Sequence, residues 1–152
     1  RTPWLDPVMV DDLIVGCANQ AGEDTRNMAR LAWLTAGLPE TVPGITLNRL
    51  CSSGMSALIF AHYAIQAGEG NLYIVGGVES MSRAPDVRLK SIYNTKHPVD
   101  EADDWVDSTF GWRFTNPAYP RRFPPLSMIE TAERCAERFQ ISREAQDDYA
   151  LA

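Results

Sequence analysis

The stretch that decides the fold of this chain is Leu47-Asn48-Arg49-Leu50-Cys51-Ser52-Ser53-Gly54-Met55. It comes after a short apolar run at 45–47, which predicts a strand, and it opens a helical pattern that continues to Ala67. Cys51 is therefore expected between a strand end and the first turn of a helix. Small residues on several faces of that helix predict that other elements enclose it. Its large apolar stripe consists of Met55, Leu58, Ile59, His62 and Ile65.

A cysteine at the start of a helix has a distinctive chemical environment. Free backbone N–H groups and the positive end of the helix dipole favour a thiolate there. The same N–H groups can donate to the oxyanion that develops when the sulfur attacks a thioester. Asn48 and Gly54 are expected to have structural roles beside the cysteine, with Gly54 letting another backbone come close. Spacing alone leaves two interpretations of Cys51 open, a reactive nucleophile and an inert buried thiol.

The rest of the pattern predicts an α/β fold. Apolar runs predict strands at 12–16 and 72–75, and helical spacing predicts a helix around 28–35. Strand, helix and strand of these lengths form the crossover unit of an α/β sheet. After residue 85 the chain becomes polar and proline-rich, and helical order returns at Ser127, where S-x-x-E fits a capping box. We therefore divide the chain into a core, residues 1–85, and a second region, residues 86–152.

Composition excludes several classes of function. The chain has 152 residues, 45% hydrophobic and 22% charged, with a net charge of -6, which is typical of a globular protein. An acidic surface argues against nucleic acid or an anionic membrane as the main partner. The three cysteines, Cys17, Cys51 and Cys135, form no CxxC pair. They predict free thiols in a reducing compartment, the cytoplasm or an organelle matrix, and no metal site.

Four separated motifs together resemble the thiolase family. They are Gly16-Cys17-Ala18-Asn19-Gln20-Ala21-Gly22-Glu23-Asp24, Asn48-Arg49-Leu50-Cys51-Ser52-Ser53-Gly54, Val75-Gly76-Gly77-Val78-Glu79-Ser80-Met81-Ser82, and Gly111-Trp112-Arg113-Phe114 followed by Ser127-Met128. They occur in the family's order and span nearly the whole chain. The first of them is similar to the branch that handles 3-oxoadipyl-CoA.

The resemblance implies a particular architecture. It implies the N-terminal half of a thiolase-like fold, a five-layered αβαβα body with a mixed sheet. Residues 86–152 would then begin an inserted loop domain that covers coenzyme A. The start of the chain departs from the family's order, as though residues were missing between Pro3 and Trp4.

The resemblance also implies an activity. Cys51 would attack an acyl carbonyl in two ping-pong half-reactions, with coenzyme A as a substrate and no permanently bound cofactor. Met128 matches a position that lines the acyl pocket, with plain helix packing as the alternative, and Ser127 matches a position that is often histidine. The family's other catalytic groups, two histidines and a second cysteine, belong to its second half. The 152 residues alone are therefore not expected to catalyse thiolysis, and the enzyme is expected to be a homodimer or homotetramer.

Several functions follow from this resemblance. The favoured one is a degradative thiolase that cleaves 3-oxoacyl-CoA, with 3-oxoadipyl-CoA as the favoured substrate. A biosynthetic acetyl-CoA acetyltransferase is the nearest alternative. A non-catalytic half that acts as an assembly module, and a condensing enzyme of fatty-acid or polyketide synthesis, are the others.

Other chemically suggestive residues are assigned structural roles. His62 is expected to be a satisfied core histidine, and Cys17 and Cys135 are expected to be buried packing thiols. Glu79 is expected to form a hydrogen bond to nearby backbone, and His97 to be solvated. Three arginines of the second region could form a basic patch for a phosphate-bearing ligand, or an ordinary solvated or subunit-contacting surface: Arg113, Arg121 and Arg122.

Overall fold

The computed structural model describes residues 3–89, 105–109 and 111–152. A single 3₁₀ turn, Pro7–Met9, precedes the regular elements. In chain order these are β1 (Asp12–Gly16), α1 (Met28–Thr35), β2 (Gly44–Leu47), α2 (Ser53–Gln66), β3 (Tyr73–Gly77), β4 (Asp86–Val87), β5 (Val106–Asp107), α3 (Met128–Phe139) and α4 (Arg143–Leu151).

The central sheet contains three strands in the order β2-β1-β3, and both pairs are parallel. Gly16 pairs with Leu47 on one side and with Gly77 on the other, so the carboxyl ends of all three strands meet at one edge. The strands predicted at 12–16 and 45–47, and the crossover through α2, are confirmed. An antiparallel strand, which would make this sheet mixed, does not occur in it within the described residues.

Strand β1 packs against a helix on each face. Leu13 and Val15 lie in one cluster with Ala29 and Trp33 of α1. Ile14, which points to the opposite face because side chains alternate along a strand, lies in a second cluster with Ala57 and Ala61 of α2. This alternation makes β1 the buried centre of the sheet, and Ile14 has no exposed surface.

The face of α2 that packs against the sheet differs from the prediction. The buried residues are the small ones, Ser53, Ala57 and Ala61, which are spaced one turn apart. The large apolar stripe is exposed, and so is His62. The prediction of an enclosed helix with a core histidine is therefore wrong for the described part of the chain. Only small side chains fit where the helix lies close to the strand backbone.

The reason for this close approach is Gly16. A Cβ atom at Gly16 would lie 2.4 Å from the backbone carbon of Ser53 and 2.6 Å from the backbone nitrogen of Gly54. The glycine predicted to permit a close backbone approach was Gly54, and that prediction is wrong. A Cβ at Gly54 meets nothing within 4 Å, because the contact is made through the strand glycine instead.

The chain forms two compact units. The first contains the described residues up to Val87 together with Asp107–Thr109, and the second contains the remaining described residues. In the second unit the capping box at Ser127 is confirmed, since Ser127 Oγ accepts from the Glu130 N–H and the Glu130 carboxylate accepts from the Ser127 N–H. The assignment of residues 86–152 to a loop domain over coenzyme A stays a prediction.

The predicted discontinuity between Pro3 and Trp4 stays a prediction. No helix in the described ranges is long and apolar enough to cross a membrane.

Candidate active site

Loops from all three parallel strands meet at the carboxyl edge of the sheet. Just beyond the strands, the Cys17 N–H donates to Leu47 O at 3.0 Å and the Val78 N–H donates to Gly16 O at 3.0 Å. Residues 17–19, 48–51 and 78–79 therefore start from neighbouring positions. Loops at the carboxyl ends of parallel strands commonly build binding sites, and Cys51 lies on the middle one of these in the sequence.

The turn that carries Cys51 is held by its own side chains. Asn48 Oδ1 accepts from the Leu50 N–H at 2.8 Å. Ser53 Oγ accepts from the Arg49 N–H at 2.8 Å and donates to Leu50 O at 2.6 Å. Leu50 has a φ of 50°, a left-handed conformation that costs a residue with a Cβ about 1 kcal/mol. These hydrogen bonds stabilise the strained turn that sets the direction of Cys51.

Cys51 lies one residue before the helix cap. The N-cap of α2 is Ser52, and its side chain makes no capping hydrogen bond. Within residues 3–89, 105–109 and 111–152, no protein acceptor takes a hydrogen bond from the backbone N–H groups of Cys51, Gly54 or Met55. Cys51 is exposed and free. The predicted placement of Cys51, between a strand end and the first turn of a helix, is therefore confirmed. The inert interpretation required a burial that Cys51 does not have.

Glu79 forms the backbone hydrogen bonds that its position predicted. Its Oε2 accepts from the Ala18 N–H at 2.9 Å, and its Oε1 accepts from the Asn19 N–H at 2.8 Å. The carbonyl oxygen of Ala18 in turn accepts from Asn48 Nδ2 at 3.0 Å. Asn48, expected to have a structural role near the nucleophile, thus connects the first loop to the turn of Cys51.

Sequence reasoning did not identify Asn19 and Ser108 as members of this edge. Asn19 Nδ2 donates to Ser108 O at 3.0 Å and to its Oγ at 3.3 Å, and Ser108 is 1% exposed. The signal for Asn19 was available, because it follows β1 at the same edge as Asn48. Ser108 had no such signal, since it is distant in sequence and outside any periodic element.

Cys17 is a buried thiol, as predicted. It is 1% exposed, and its sulfur lies 3.8 Å from Asn19 O and 4.0 Å from Glu79 Oε1. Burial raises the pKa of this thiol, and the nearby carboxylates of Glu79 and then Asp24 raise it further. Cys17 is therefore protonated and unreactive at neutral pH. It also differs from Cys51 in exposure, because Cys17 is buried and Cys51 is exposed.

The same residues form the one group with metal-ligating atoms that we find in the described residues: Cys17, Asp24 and Glu79. Both Glu79 oxygens already accept backbone N–H groups, and Asp24 Oδ1 accepts from the Gly22 N–H at 3.1 Å. The carboxylates of Glu79 and Asp24 therefore already have a structural role, since they hold the backbone of the loop after β1. The predicted absence of a metal stays a prediction.

The remaining predicted site residues belong to the second unit. Ser127 is the N-cap of α3, and its hydrogen bonds lower the pKa of the Glu130 carboxyl. Met128 follows it and is 80% exposed, so it has no packing role within the described chain. Their assignment to an acyl pocket stays a prediction. Cys135 is exposed, so its prediction as a buried packing thiol is wrong.

The arginines of the predicted basic patch differ in exposure. Arg121 and Arg122 are exposed and Arg113 is half-buried, and the patch and its ligand stay a prediction. His97 lies outside the described residues.

Comparison with known proteins gives a consistent result. Residues 1–152 match the family described as "Thiolase, N-terminal domain". The chain is 55% identical over 151 residues to the "3-oxoadipyl-CoA/3-oxo-5,6-dehydrosuberyl-CoA thiolase" of Escherichia coli, which covers 99% of this chain and 37% of that protein. It is 49% identical over 153 residues to the "Beta-ketoadipyl-CoA thiolase" of Pseudomonas knackmussii, again with 99% and 37% covered.

Solved structures agree with the sequence comparison. The acetyl-CoA acetyltransferase of Bacillus anthracis matches with a TM-score of 0.77 and 34% identity, over 97% of this chain and 35% of that one. Human mitochondrial 3-ketoacyl-CoA thiolase in complex with CoA matches with a TM-score of 0.75 and 32% identity, over 97% and 35%. The chain thus spans little more than a third of the length of these relatives. Its sequence and its fold both show that it belongs to the thiolase family.

Proposed function

We propose that this chain carries the nucleophile of a degradative thiolase that cleaves 3-oxoadipyl-CoA to acetyl-CoA and a shortened acyl-CoA. The observation that carries the proposal is the position of Cys51, exposed between the end of β2 and the N-terminus of α2. Relatives that are 49% and 55% identical across this region are named for 3-oxoadipyl-CoA, also called beta-ketoadipyl-CoA.

The geometry supports a defined step for Cys51. Its sulfur attacks the 3-oxo carbonyl carbon, and the bond between C2 and C3 breaks. Acetyl-CoA leaves with a proton taken up at C2, and the acyl group stays on the sulfur as a thioester. The thiol of a second coenzyme A then accepts that acyl group, so coenzyme A is a substrate and no resident cofactor is required. The unsatisfied N–H groups at the helix start are suited to the charged oxygen that develops during attack.

Replacing Cys51 tests the nucleophile directly. In the intact gene product, Cys51→Ala is expected to lower thiolysis by about 10⁴-fold, because it removes the sulfur that is proposed to carry the acyl intermediate. Cys135→Ala is the matched control, since Cys135 is also free and exposed, and it should change the rate by less than about twofold. Mass spectrometry should locate the acyl group on the Cys51 peptide, and full activity of Cys51→Ala would overturn the assignment.

Substrate preference separates the proposal from its nearest alternative. The structural likeness to an acetyl-CoA acetyltransferase favours a biosynthetic enzyme as the second candidate. We expect kcat/KM for 3-oxoadipyl-CoA to exceed that for acetoacetyl-CoA by about tenfold or more, which is the scale on which an acyl pocket discriminates chain length. A preference for acetoacetyl-CoA would support the alternative.

Assembly and compartment complete the proposal. The large apolar residues of α2 are exposed in these 152 residues, and an apolar patch of this kind is typically covered in the intact, assembled protein, by the rest of the chain or by another subunit. We infer a homodimer or homotetramer in the cytoplasm, where the three free cysteines remain reduced. Light scattering of the intact gene product tests the assembly, and a monodisperse monomer would contradict it.

A further inference from the structure

We propose that Glu79 is a positioning residue for Cys51, acting through Ala18 and Asn48. This inference rests on the proposed function, because it concerns the reactivity of the same cysteine. Glu79 itself makes no contact with Cys51 among the interactions that the structure records for the described residues. Its effect must therefore pass through the loops that it holds.

The path consists of three hydrogen bonds, and a fourth holds the neighbouring Asn19. The carboxylate of Glu79 accepts from the Ala18 N–H at 2.9 Å and from the Asn19 N–H at 2.8 Å. Ala18 O accepts from Asn48 Nδ2 at 3.0 Å, and Asn48 Oδ1 accepts from the Leu50 N–H at 2.8 Å. The path therefore runs from Glu79 through Ala18 and Asn48 to Leu50, the residue before Cys51.

The strained turn is what makes this path consequential. Leu50 adopts a φ of 50°, a conformation that persists only where the surroundings over-determine it. The Asn48 amide has two partners, and it can serve both only in one orientation. If Glu79 no longer holds Ala18, the acceptor for Asn48 Nδ2 can move. Asn48 and then Leu50 are free to relax, and the sulfur of Cys51 shifts.

The sheet offers a matched control at its other edge. Asp11 also accepts from two consecutive backbone N–H groups, those of Asn71 at 2.7 Å and Leu72 at 3.0 Å. Both carboxylates hold a loop beside β1, Asp11 through the single oxygen Oδ2 and Glu79 through one oxygen for each N–H. Only Glu79 lies on the edge that carries Cys51. A purely structural role for Glu79 predicts that its replacement, like that of Asp11, lowers stability without changing the reactivity of Cys51.

The decisive experiment compares Glu79→Gln with Asp11→Asn in the intact gene product. Glu79→Gln is expected to lower kcat by about tenfold with KM within about twofold, the scale expected for a displaced reacting group. It should slow alkylation of Cys51 by iodoacetamide, followed by mass spectrometry, by a similar factor. Asp11→Asn should change both rates by less than about twofold, although it removes the charge that strengthens the hydrogen bonds from Asn71 and Leu72 and so lowers the unfolding temperature.

A second variant, Asn48→Asp, tests the same path if Glu79→Gln folds poorly. Asn48→Asp retains the oxygen that accepts from Leu50 but removes the donor to Ala18. It should reproduce the loss of kcat, and the double variant should be no slower than either single one, because both break the same path. Glu79→Asp, which keeps the charge on a shorter side chain, should recover part of the rate.

The outcomes separate the two proposals. If Cys51→Ala keeps its activity, the proposed function itself fails. If Cys51→Ala is inactive but Glu79→Gln and Asp11→Asn have equal kcat and equal Cys51 alkylation rates, only the positioning role is overturned. Additive losses in Glu79→Gln combined with Asn48→Asp would likewise overturn the path.

Discussion

At each edge of the three-stranded sheet a carboxylate accepts hydrogen bonds from two consecutive backbone N–H groups, but the loops that these bonds hold lead to different features. At the amino edge, the Asp11 carboxylate accepts from the N–H groups of Asn71 and Leu72. At the carboxyl edge, the Glu79 carboxylate accepts from those of Ala18 and Asn19. In each case a carboxylate on one loop organises the backbone of another.

The edges differ in what the organised loop reaches. The amino edge leads only into the start of a strand. The carboxyl edge leads through Asn48 to a left-handed residue, an exposed cysteine and the N-terminus of a helix. In a parallel sheet each strand is followed by its crossover helix, so helix N-termini lie at the carboxyl edge. The exposed cysteine and the helix N-terminus therefore lie at this edge because of the topology, and the carboxylates by themselves mark neither edge as the candidate site.

The largest expected effect concerns the glycines of the two edges. Gly16→Ala would place a Cβ 2.4 Å from the backbone carbon of Ser53, whereas Gly70→Ala would place one 2.6 Å from the tip of Tyr73 and 2.9 Å from the Asp11 carboxylate. Backbone cannot move aside as side-chain ends can. We expect Gly16→Ala to cost about 3 kcal/mol of unfolding free energy and Gly70→Ala about 1 kcal/mol. Urea unfolding of the intact gene product measures both, and equal costs would break the comparison.

The next effect contrasts two cysteines within the carboxyl edge. Cys17 is 1% exposed and its pKa is raised, first by burial and then by Glu79 and Asp24, whereas Cys51 is exposed. Iodoacetamide should modify Cys51 at least about 100-fold faster than Cys17 at neutral pH, since thiol alkylation requires an accessible thiolate. Peptide mapping after timed quenching gives the two rates, with Cys51→Ala as the control. Comparable labelling of Cys17 would show that this edge opens readily.

The smallest effect is the pH dependence of the hydrogen bonds that Asp11 accepts from Asn71 and Leu72 at the amino edge. Hydrogen bonds from the Asn71 and Leu72 backbone lower the pKa of Asp11 below its ordinary value of 3.8. A carboxyl whose pKa is lower in the folded state stabilises the fold above the unfolded pKa, and that contribution is lost as the pH falls through the folded pKa. Asp11→Asn should therefore lower the unfolding temperature at neutral pH. The difference from wild type should shrink on acidification, and a constant difference would contradict the mechanism.

The regular elements could be predicted because local patterns report them. The runs at 12–16 and 45–47 became β1 and β2, and the S-x-x-E signal at Ser127 became the cap of α3. The packing face of α2 could not be predicted in the same way. Large apolar residues normally mark the buried face, but here the distance between helix and strand is set by Gly16, and only Ser53, Ala57 and Ala61 are small enough to fit.

The residues of the candidate site also fall into those that the sequence identifies and those that only the tertiary structure identifies. Cys51 and Asn48 were identified from one contiguous stretch. The role of Glu79 required knowing that Ala18, Asn19 and Asn48 lie beside it, which depends on the strand order β2-β1-β3. Gly54 was given the role that belongs to Gly16, because a sequence shows which residue is small but not which backbone approaches it.

The sequence by itself determined the α/β class, the family and the cysteine at the start of a helix, since periodicity and contiguous motifs encode these locally. Only the tertiary structure decided that the cysteine is exposed, that the small face of α2 is the buried one, and that a carboxylate on a third loop connects to its turn. These features depend on distances between segments far apart in the chain, and no local pattern encodes such distances.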